Sequence, residues 1–305
     1  MRWSPHPLSL RQLQYLVAVA ETRSFHRAAD LCHVSQPSLS SQVAQAERAL
    51  GAQIFERDRR HVLVTQAGEE LLRRARQLLV EADDLVDVLA RYADPLAGTL
   101  RIGVIPTISP YLIPDAAPAL RRAFPTLHVQ WLEDKTTNLV ASLHRGETDA
   151  ALLALEADLG DVEHEVIGYD PFVLAAAQGH PLGRTARPVK AAELNDVELL
   201  VLAEGHCLRD QAISACKRAH SSSFGATSLP TLVQMVAGGT GVTLLPALAL
   251  STENRRGELR IRTFTRPGPG RTLALAWRRG AAAAAALPKI ASVMRRSLEK
   301  VSGGR

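Results

Sequence analysis

Two cysteines stand nine positions apart in the stretch Gly205-His206-Cys207-Leu208-Arg209-Asp210-Gln211-Ala212-Ile213-Ser214-Ala215-Cys216. A thiol reacts as its thiolate, and nearby positive charge favours that form. His206 precedes Cys207 and Arg209 follows two residues later, so Cys207 is a candidate reactive thiol and Cys216 a candidate to resolve whatever Cys207 becomes. The plainer reading is two buried thiols on a helix, since free cysteine is among the most buried residue types. On one continuous helix, nine residues span about 13.5 Å along the axis. A disulfide needs Cα atoms within roughly 4.4–6.8 Å. A bond between this pair therefore requires the backbone to rearrange.

The chain has 305 residues, of which 46% are hydrophobic and 22% charged, the composition of an ordinary globular protein with room for a small domain and a larger module. No apolar run reaches membrane-helix length. Met1-Arg2-Trp3-Ser4-Pro5 leads into a polar amphipathic segment without a signal-peptide core. A cytoplasmic protein that makes no membrane contact is expected. Three cysteines do not build a disulfide framework, and no compact Cys-x-x-Cys or multi-histidine set is present, so neither a metal nor a cofactor is expected. The net charge of +5 is compatible with an anionic partner.

The elements that must position these groups begin with three short helices. Ser9 with Gln12 forms a capping-box start, and Leu13, Leu16, Val17 and Ala20 share a face over residues 9–20. Ser24 caps a second helix carrying Ala28, Leu31 and Cys32 inward, which makes Cys32 structural. Ser35 caps a third, with Pro37 tolerated in its first turn. On this third helix Leu39, Val43, Ala46 and Leu50 cluster on one side. Pro37, Ser38, Ser41, Gln45 and Arg48 point the other way. That outward face is small and hydrogen-bonding, suited to reading base edges in a major groove. A merely solvated face has the same composition. Residues 54–65 read as a hairpin with Arg57, Arg59 and Arg60 around its tip, placed for phosphate or minor-groove contacts. Residues 1–66 hold eight arginines, no lysines and five acids, a net of +3.

Thr65 caps a long helix on which Leu71, Ala75, Leu78, Ala82, Leu85, Leu89 and Tyr92 recur in steps of four and three. This is a heptad seam that predicts pairing with another helix, most simply from a second subunit. Asp94-Pro95-Leu96-Ala97-Gly98 ends it. From residue 99 strands alternate with helices: strands at 100–104, 127–131 and 150–155, helices near 111–124 and 136–144. The alternation argues for a parallel sheet whose ligands bind at the strands' carboxyl ends, where Thr107 and Thr136 fall. Around Asp170-Pro171 a second subdomain begins, with strands near 172–177, 198–203 and 242–245 and a helix at 228–237. Late strands at 259–264 and 272–277 lead back towards the first. Ala281 to Ala286 is expected to open the last helix.

Residues 8–70 resemble the LysR-type transcriptional regulators. The resemblance is carried by Leu10-Arg11-Gln12-Leu13-Gln14-Tyr15-Leu16, Ser24-Phe25-His26-Arg27-Ala28-Ala29, Val34-Ser35-Gln36-Pro37-Ser38-Leu39-Ser40 and Leu63-Val64-Thr65-Gln66-Ala67-Gly68. It implies an α/β chain with an N-terminal winged helix-turn-helix over 1–66, a linker dimerisation helix over 67–97, and a periplasmic-binding-protein-like effector module over 98–305. Subdomain I of that module would cover about 98–170 and 271–305, and subdomain II about 171–270. DNA-binding residues would be Ser35, Gln36, Pro37, Ser38, Ser41, Gln45, Arg57 and Arg60.

The effector half is similar to the peroxide-sensing members of that family, through Gly103 to Pro114, Gly205 to Gln211, Ala226 to Leu229 and Leu244 to Ala249. That similarity implies that Cys207 attacks hydrogen peroxide and that Cys216 captures the sulfenic acid as a disulfide. Thr107, Thr136, His206, Arg209 and Asp210 would surround the peroxide. It implies a non-enzymatic activator whose partners are double-stranded DNA, hydrogen peroxide, RNA polymerase and a glutaredoxin- or thioredoxin-type reductant, assembled as a homodimer that forms a homotetramer. Three other readings stand beside it: a regulator of the same family responding to a small metabolite in the cleft, a thiol peroxidase, and a metal sensor using His206, Cys207 and Cys216.

Overall fold

The computed structural model describes residues 6–57, 62–91, 96, 98–195, 197–216 and 220–303. The chain divides into two units, Met1–Leu89 and Ala90–Arg305.

The first unit is built from local signals. Helix α1 (Leu10–Thr22) starts at a reciprocal capping box between Ser9 and Gln12. Helix α2 (Phe25–Leu31) starts where the Ser24 side chain accepts the Arg27 N–H, and α3 (Gln36–Leu50) where Ser35 accepts that of Ser38. Leu16, Val19, Ala28, Leu39, Val43 and Ala46 are fully buried between the three helices. Leu31, expected inward, is 61% exposed: at the last position of a seven-residue helix it lies beyond the reach of the core. Strands β1 (Phe55–Arg57) and β2 (Val62–Val64) form the wing, with Phe55 opposite Val64. The Glu47 carboxylate of α3 accepts the backbone N–H groups of Ile54 (2.8 Å) and Phe55 (3.1 Å), fixing wing to helix. Helix α4 (Gln66–Arg91) follows, its first turn closed by Thr65 accepting the Gly68 N–H at 3.0 Å. Gly68 is required there, because a Cβ would stand 2.5 Å from the Ile54 carbonyl oxygen.

The second unit contains β3 (Gly98–Val104), α5 (Ser109–Ala123), β4 (Leu127–Glu133), α6 (Thr136–His144), β5 (Ala150–Ala154), β6 (Val162–Ala177), β7 (Glu198–Leu202), α7 (Cys207–Ala215), β8 (His220–Ala226), α8 (Leu229–Ala237), β9 (Val242–Pro246), the one-turn α9 (Leu250–Glu253), β10 (Leu259–Thr263), β11 (Gly270–Arg278) and α10 (Leu287–Gly303). The strand order is β4-β3-β5-β11-β6-β9-β7-β8, with β10 also on β6. The sheet is mixed, where alternation alone suggested a parallel one. β3 is parallel to β4 and β5, and β7 to β8 and β9, but β6 and β11 run antiparallel to their neighbours.

β6 holds the module together. Over Val162–Pro171 it pairs with β11; from Phe172 onward its neighbours are β9 and β10. One continuous 16-residue strand therefore passes through both halves. Its first part escaped the sequence reading because Glu163, His164, Val166 and Tyr169 are exposed and no clean apolar alternation survives. The alanine run forms a turn before α10 rather than the helix itself. Ala281, Ala283 and Ala286 are buried in that turn, and α10 then packs Leu287, Ile290, Met294 and Leu298 inward.

Candidate functional site

Two groups of residues carry chemistry, one in each unit. In the first, the core side of α3 is held by Leu39, Val43 and Ala46. Ser35, Gln36, Pro37, Ser38, Ser41, Gln45 and Arg48 are all exposed on the other side. Gln42 is not part of this face; its Oε1 accepts from Gln12 Nε2 at 3.2 Å and ties α3 to α1. Ser35 spends its hydroxyl on the helix cap, accepting the Ser38 N–H at 3.4 Å. Arg57 lies in β1, but its side chain, and Arg60 altogether, fall outside the described residues. On α4, Ala75 of the predicted seam is buried in the first unit's own core, beside Leu72, and Leu71 packs against that core. Leu78 and Leu85 are 50% and 70% exposed. The side chain of Leu89 and all of Tyr92 lie outside the described residues.

In the second unit, the thiol site is assembled at the start of α7. Cys207 is the first residue of this nine-residue helix, at the end whose first-turn N–H groups have no partner within the helix. His206 is the N-cap. It is buried, and its ring makes no capping bond. Burial and then the nearby Lys135 ammonium push the His206 pKa below its ordinary value, so the imidazole is neutral at pH 7. Thr136 opens α6 and is buried. Among the described residues its hydroxyl has no hydrogen-bond partner, which leaves it free to serve a small polar molecule. Pro106, Thr107, Lys135, Thr136, His206 and Cys207 all border one narrow crevice that leaves no room for a water molecule. On its outer side Cys207 and Thr136 also border a cleft of about 600 Å³, together with Glu156, Asp158, Asp210 and Gln211.

Thr107 is held by residues that the sequence did not single out. Arg271, fully buried at the start of β11, donates through Nη1 to Thr107 Oγ1 (2.6 Å) and through Nη2 to its carbonyl (2.9 Å). The same guanidinium pairs with Asp170 Oδ2 through Nε (3.1 Å) and Nη2 (3.0 Å), and Asp170 Oδ1 accepts the Leu248 N–H at 2.9 Å. Asp170 sits in β6 where that strand changes partners, so this buried network fastens Thr107 to the joint of the module. Arginine is suited to it because its fork serves a carboxylate and a second acceptor together.

The fold therefore brings Thr107, Thr136, His206 and Cys207 together. It does not bring Arg209 to the thiol: Arg209 Nη1 donates to the Leu202 carbonyl of β7 at 3.1 Å. A side chain two residues along a helix points about 200° away around the axis, which is why adjacency in sequence misleads here. Asp210, exposed, borders the cleft with Cys207, and among the described residues no ion pair joins it to Arg209. Cys216 is the residue that caps the far end of α7. It is 4% exposed, and burial pushes its thiol up to about 11. Both thiols are free, and one intact helix holds them apart by about 13.5 Å. Cys32 is a third free thiol, half-buried against the first unit's core. Among the described residues no group of three or more His, Cys, Asp or Glu side chains could hold a metal ion, and no helix is long and apolar enough to cross a membrane.

Comparison with known proteins places this geometry. Residues 10–69 match the bacterial regulatory helix-turn-helix proteins of the lysR family, and residues 93–299 the LysR substrate binding domain. The hydrogen peroxide-inducible genes activator of Dickeya chrysanthemi is 43% identical over 276 residues, covering 90% of each chain. A full-length OxyR variant from Pseudomonas aeruginosa superposes with a TM-score of 0.76 at 36% identity, covering 97% of this chain and 96% of that one. A hydrogen-peroxide-bound mutant of Corynebacterium glutamicum OxyR superposes with a TM-score of 0.67 at 30% identity, covering 98% and 95%. An N-terminal helix-turn-helix unit, a long following helix and an α/β module built on a mixed sheet agree with these matches throughout, and the chain belongs to the LysR family of bacterial transcriptional regulators.

Proposed function

We propose that this regulator senses hydrogen peroxide through Cys207 and Cys216 and activates oxidative-stress genes in the cytoplasm. The observation that carries the reading is the placement of the two thiols at opposite ends of α7, with Cys207 beside a neutral buried histidine and an unpartnered threonine hydroxyl. The peroxide-inducible relative and the peroxide-bound OxyR structure support the choice of oxidant.

The Cys207 thiolate attacks one peroxide oxygen and breaks the O–O bond. The departing hydroxide takes a proton and leaves as water, and Cys207 becomes a sulfenic acid. The Thr107 and Thr136 hydroxyls and the neutral His206 imidazole orient the small oxidant and supply hydrogen bonds to the leaving oxygen. Cys216, protonated and buried, is a poor nucleophile while α7 is intact. Unwinding of α7 exposes it, its thiolate displaces hydroxide from the sulfenic sulfur, and a second water is released with the disulfide. Two thiols have then given two electrons to one peroxide. The disulfide cannot coexist with the intact helix, so oxidation selects a second backbone arrangement, which is the bistable element a switch needs.

The exposed α3 face, from Ser35 to Gln45 with Arg57 and Arg60 on the wing, reads DNA. The exposed Leu78 and Leu85 pair α4 with a second subunit, and dimers associate to tetramers. RNA polymerase and a thioredoxin- or glutaredoxin-type reductant complete the cycle. Operator binding and transcription with reduced and oxidised protein, beside Cys207→Ser, test the reading. The expected result is a peroxide response lost in Cys207→Ser with DNA binding retained. A variant that still activates under peroxide rules out the thiol mechanism. Hydrogen exchange should rise on oxidation over residues 206–222 and change little within residues 9–66.

One observation favours a second reading. Both amide atoms of Gln211 are buried at the cleft wall without a hydrogen-bond partner among the described residues, as a polar metabolite site would have them. Peroxide treatment followed by mass spectrometry separates the two, since absence of a Cys207–Cys216 bond favours the metabolite.

A further inference from the structure

Lys135 lies immediately before α6, in the half of the module opposite α7, as the residue that caps that helix with its backbone alone. Its side chain leaves α6 and crosses to the other half, where Nζ donates to the Glu204 carbonyl at 2.9 Å. It passes over Gly205, whose backbone is in the left-handed region (φ 87°) and whose absent Cβ would stand 3.0 Å from Lys135 Cδ. The nearest carboxylate in sequence is already engaged: Asp134 Oδ1 accepts the Lys135 N–H (2.7 Å) and Asn138 Nδ2 (2.8 Å). Among the described residues no ion pair involves Lys135, and Lys135 borders the same narrow crevice as His206 and Cys207. Arg271 is neutralised by Asp170, and the Arg209 guanidinium is directed at the Leu202 carbonyl.

We propose that Lys135 is a positioning residue for Cys207: tethered to Glu204, it holds the Glu204–Gly205 turn that feeds α7 and sets a positive charge on the wall that His206 and Cys207 share. The inference rests on Cys207 being the thiol that peroxide oxidises. The charge stabilises the attacking sulfur and the hydroxide that leaves. It also keeps His206 neutral, in the same direction as its burial. The opposing charges come from Asp210 on α7 and from Glu156 and Asp158 after β5, all bordering the outer cleft. Glu156 is partly engaged, accepting the Thr272 N–H.

The test uses full-length reduced protein with Cys32 and Cys216 replaced by serine, in which the Cys207 sulfenic acid is trapped with dimedone and its rate of formation followed against pH. The variants are Lys135→Arg, Lys135→Gln and Lys135→Met. Lys135→Met should slow oxidation at pH 7 by about tenfold. It should also move the acid limb of the rate profile upward, as His206 titrates closer to 6.5. Lys135→Arg should restore both. Lys135→Gln, which keeps a donor for Glu204 without the charge, should stay slow. A Lys135→Met protein with the wild-type rate and acid limb overturns the proposal, and a fast Lys135→Gln overturns its electrostatic half. If the parent protein shows no peroxide oxidation, the sensing function falls instead. Lys135 is then decided by the NMR titration of His206 alone: an upward move in Lys135→Met supports the charge, and an unmoved midpoint overturns it.

Discussion

Arg271 and Thr107, 164 positions apart in the chain, are joined by a 2.6 Å hydrogen bond from Nη1 to Oγ1 inside the protein. The bond exists because β11 returns antiparallel beside β6, which brings residue 271 opposite Asp170 and next to the turn after β3. The Asp170 carboxylate orients the guanidinium that holds Thr107. Replacing the fork with an ammonium leaves some of these acceptors unpaired in a dry site. Arg271→Lys is therefore expected to lower stability by about 3 kcal/mol or more, the scale of a broken buried ion pair. It should also slow Cys207 oxidation. Calorimetric melting together with the dimedone rate checks this, and a wild-type melt would show the network to be dispensable.

His206 makes stability depend on pH with a defined sign. Its folded pKa lies below its ordinary value of 6.5, through burial and Lys135. Between those two values the unfolded chain binds a proton that the folded one refuses, so stability rises with pH there and is lost as pH falls from 6.5 through the folded value. His180, depressed by burial, acts in the same direction. Thermal melts from pH 7 to pH 5 should show falling stability, with a shallower slope in His206→Gln.

The α3 face separates reading from folding. Gln36→Ala and Ser38→Ala, both exposed, should each cost about 1–3 kcal/mol on the specific site and little on random DNA, if they meet base edges. Ser35→Ala removes the helix cap, costs about 1 kcal/mol of stability, and weakens both kinds of DNA binding through the fold. Competition binding with specific and random duplexes, beside melting curves, distinguishes the classes.

The exposed part of α4 should govern assembly. Leu78→Glu with Leu85→Glu is expected to convert dimers to monomers, each lost leucine removing about 1.5–3 kcal/mol of burial. Sedimentation velocity reads the outcome. An unchanged dimer would mean that other surfaces hold the subunits. Leu72 and Ala75 belong to the first unit's core, so substitutions there should unfold that unit instead.

The helix starts were legible in the sequence because capping is decided within four residues. Ser9 with Gln12, Ser24, Ser35 and Thr65 each cap the helix that their position announces. The inward face of α3 was legible for the same reason, since 3.6-residue periodicity is a property of the segment alone. That both cysteines lie at the ends of one helix was also legible, from Leu208 to Ala215 and the count between them.

What only the tertiary structure decided are the contacts between distant segments. Arg209 stood two residues from Cys207 and Lys135 stood seventy-two before it, yet Arg209 engages Leu202 and Lys135 borders the crevice of the thiol, its Nζ reaching the Glu204 carbonyl. No local pattern joined Arg271 to Asp170; strand pairing made them a buried pair. The run of β6 through both halves was hidden because its partners change midway and exposed residues interrupt the apolar pattern of its first half. Sequence neighbours share a backbone, and the helix turns them about 100° per residue away from one another. Which side chains face each other across a cavity depends on strand order and on the approach of separate elements, and no short stretch of residues contains that.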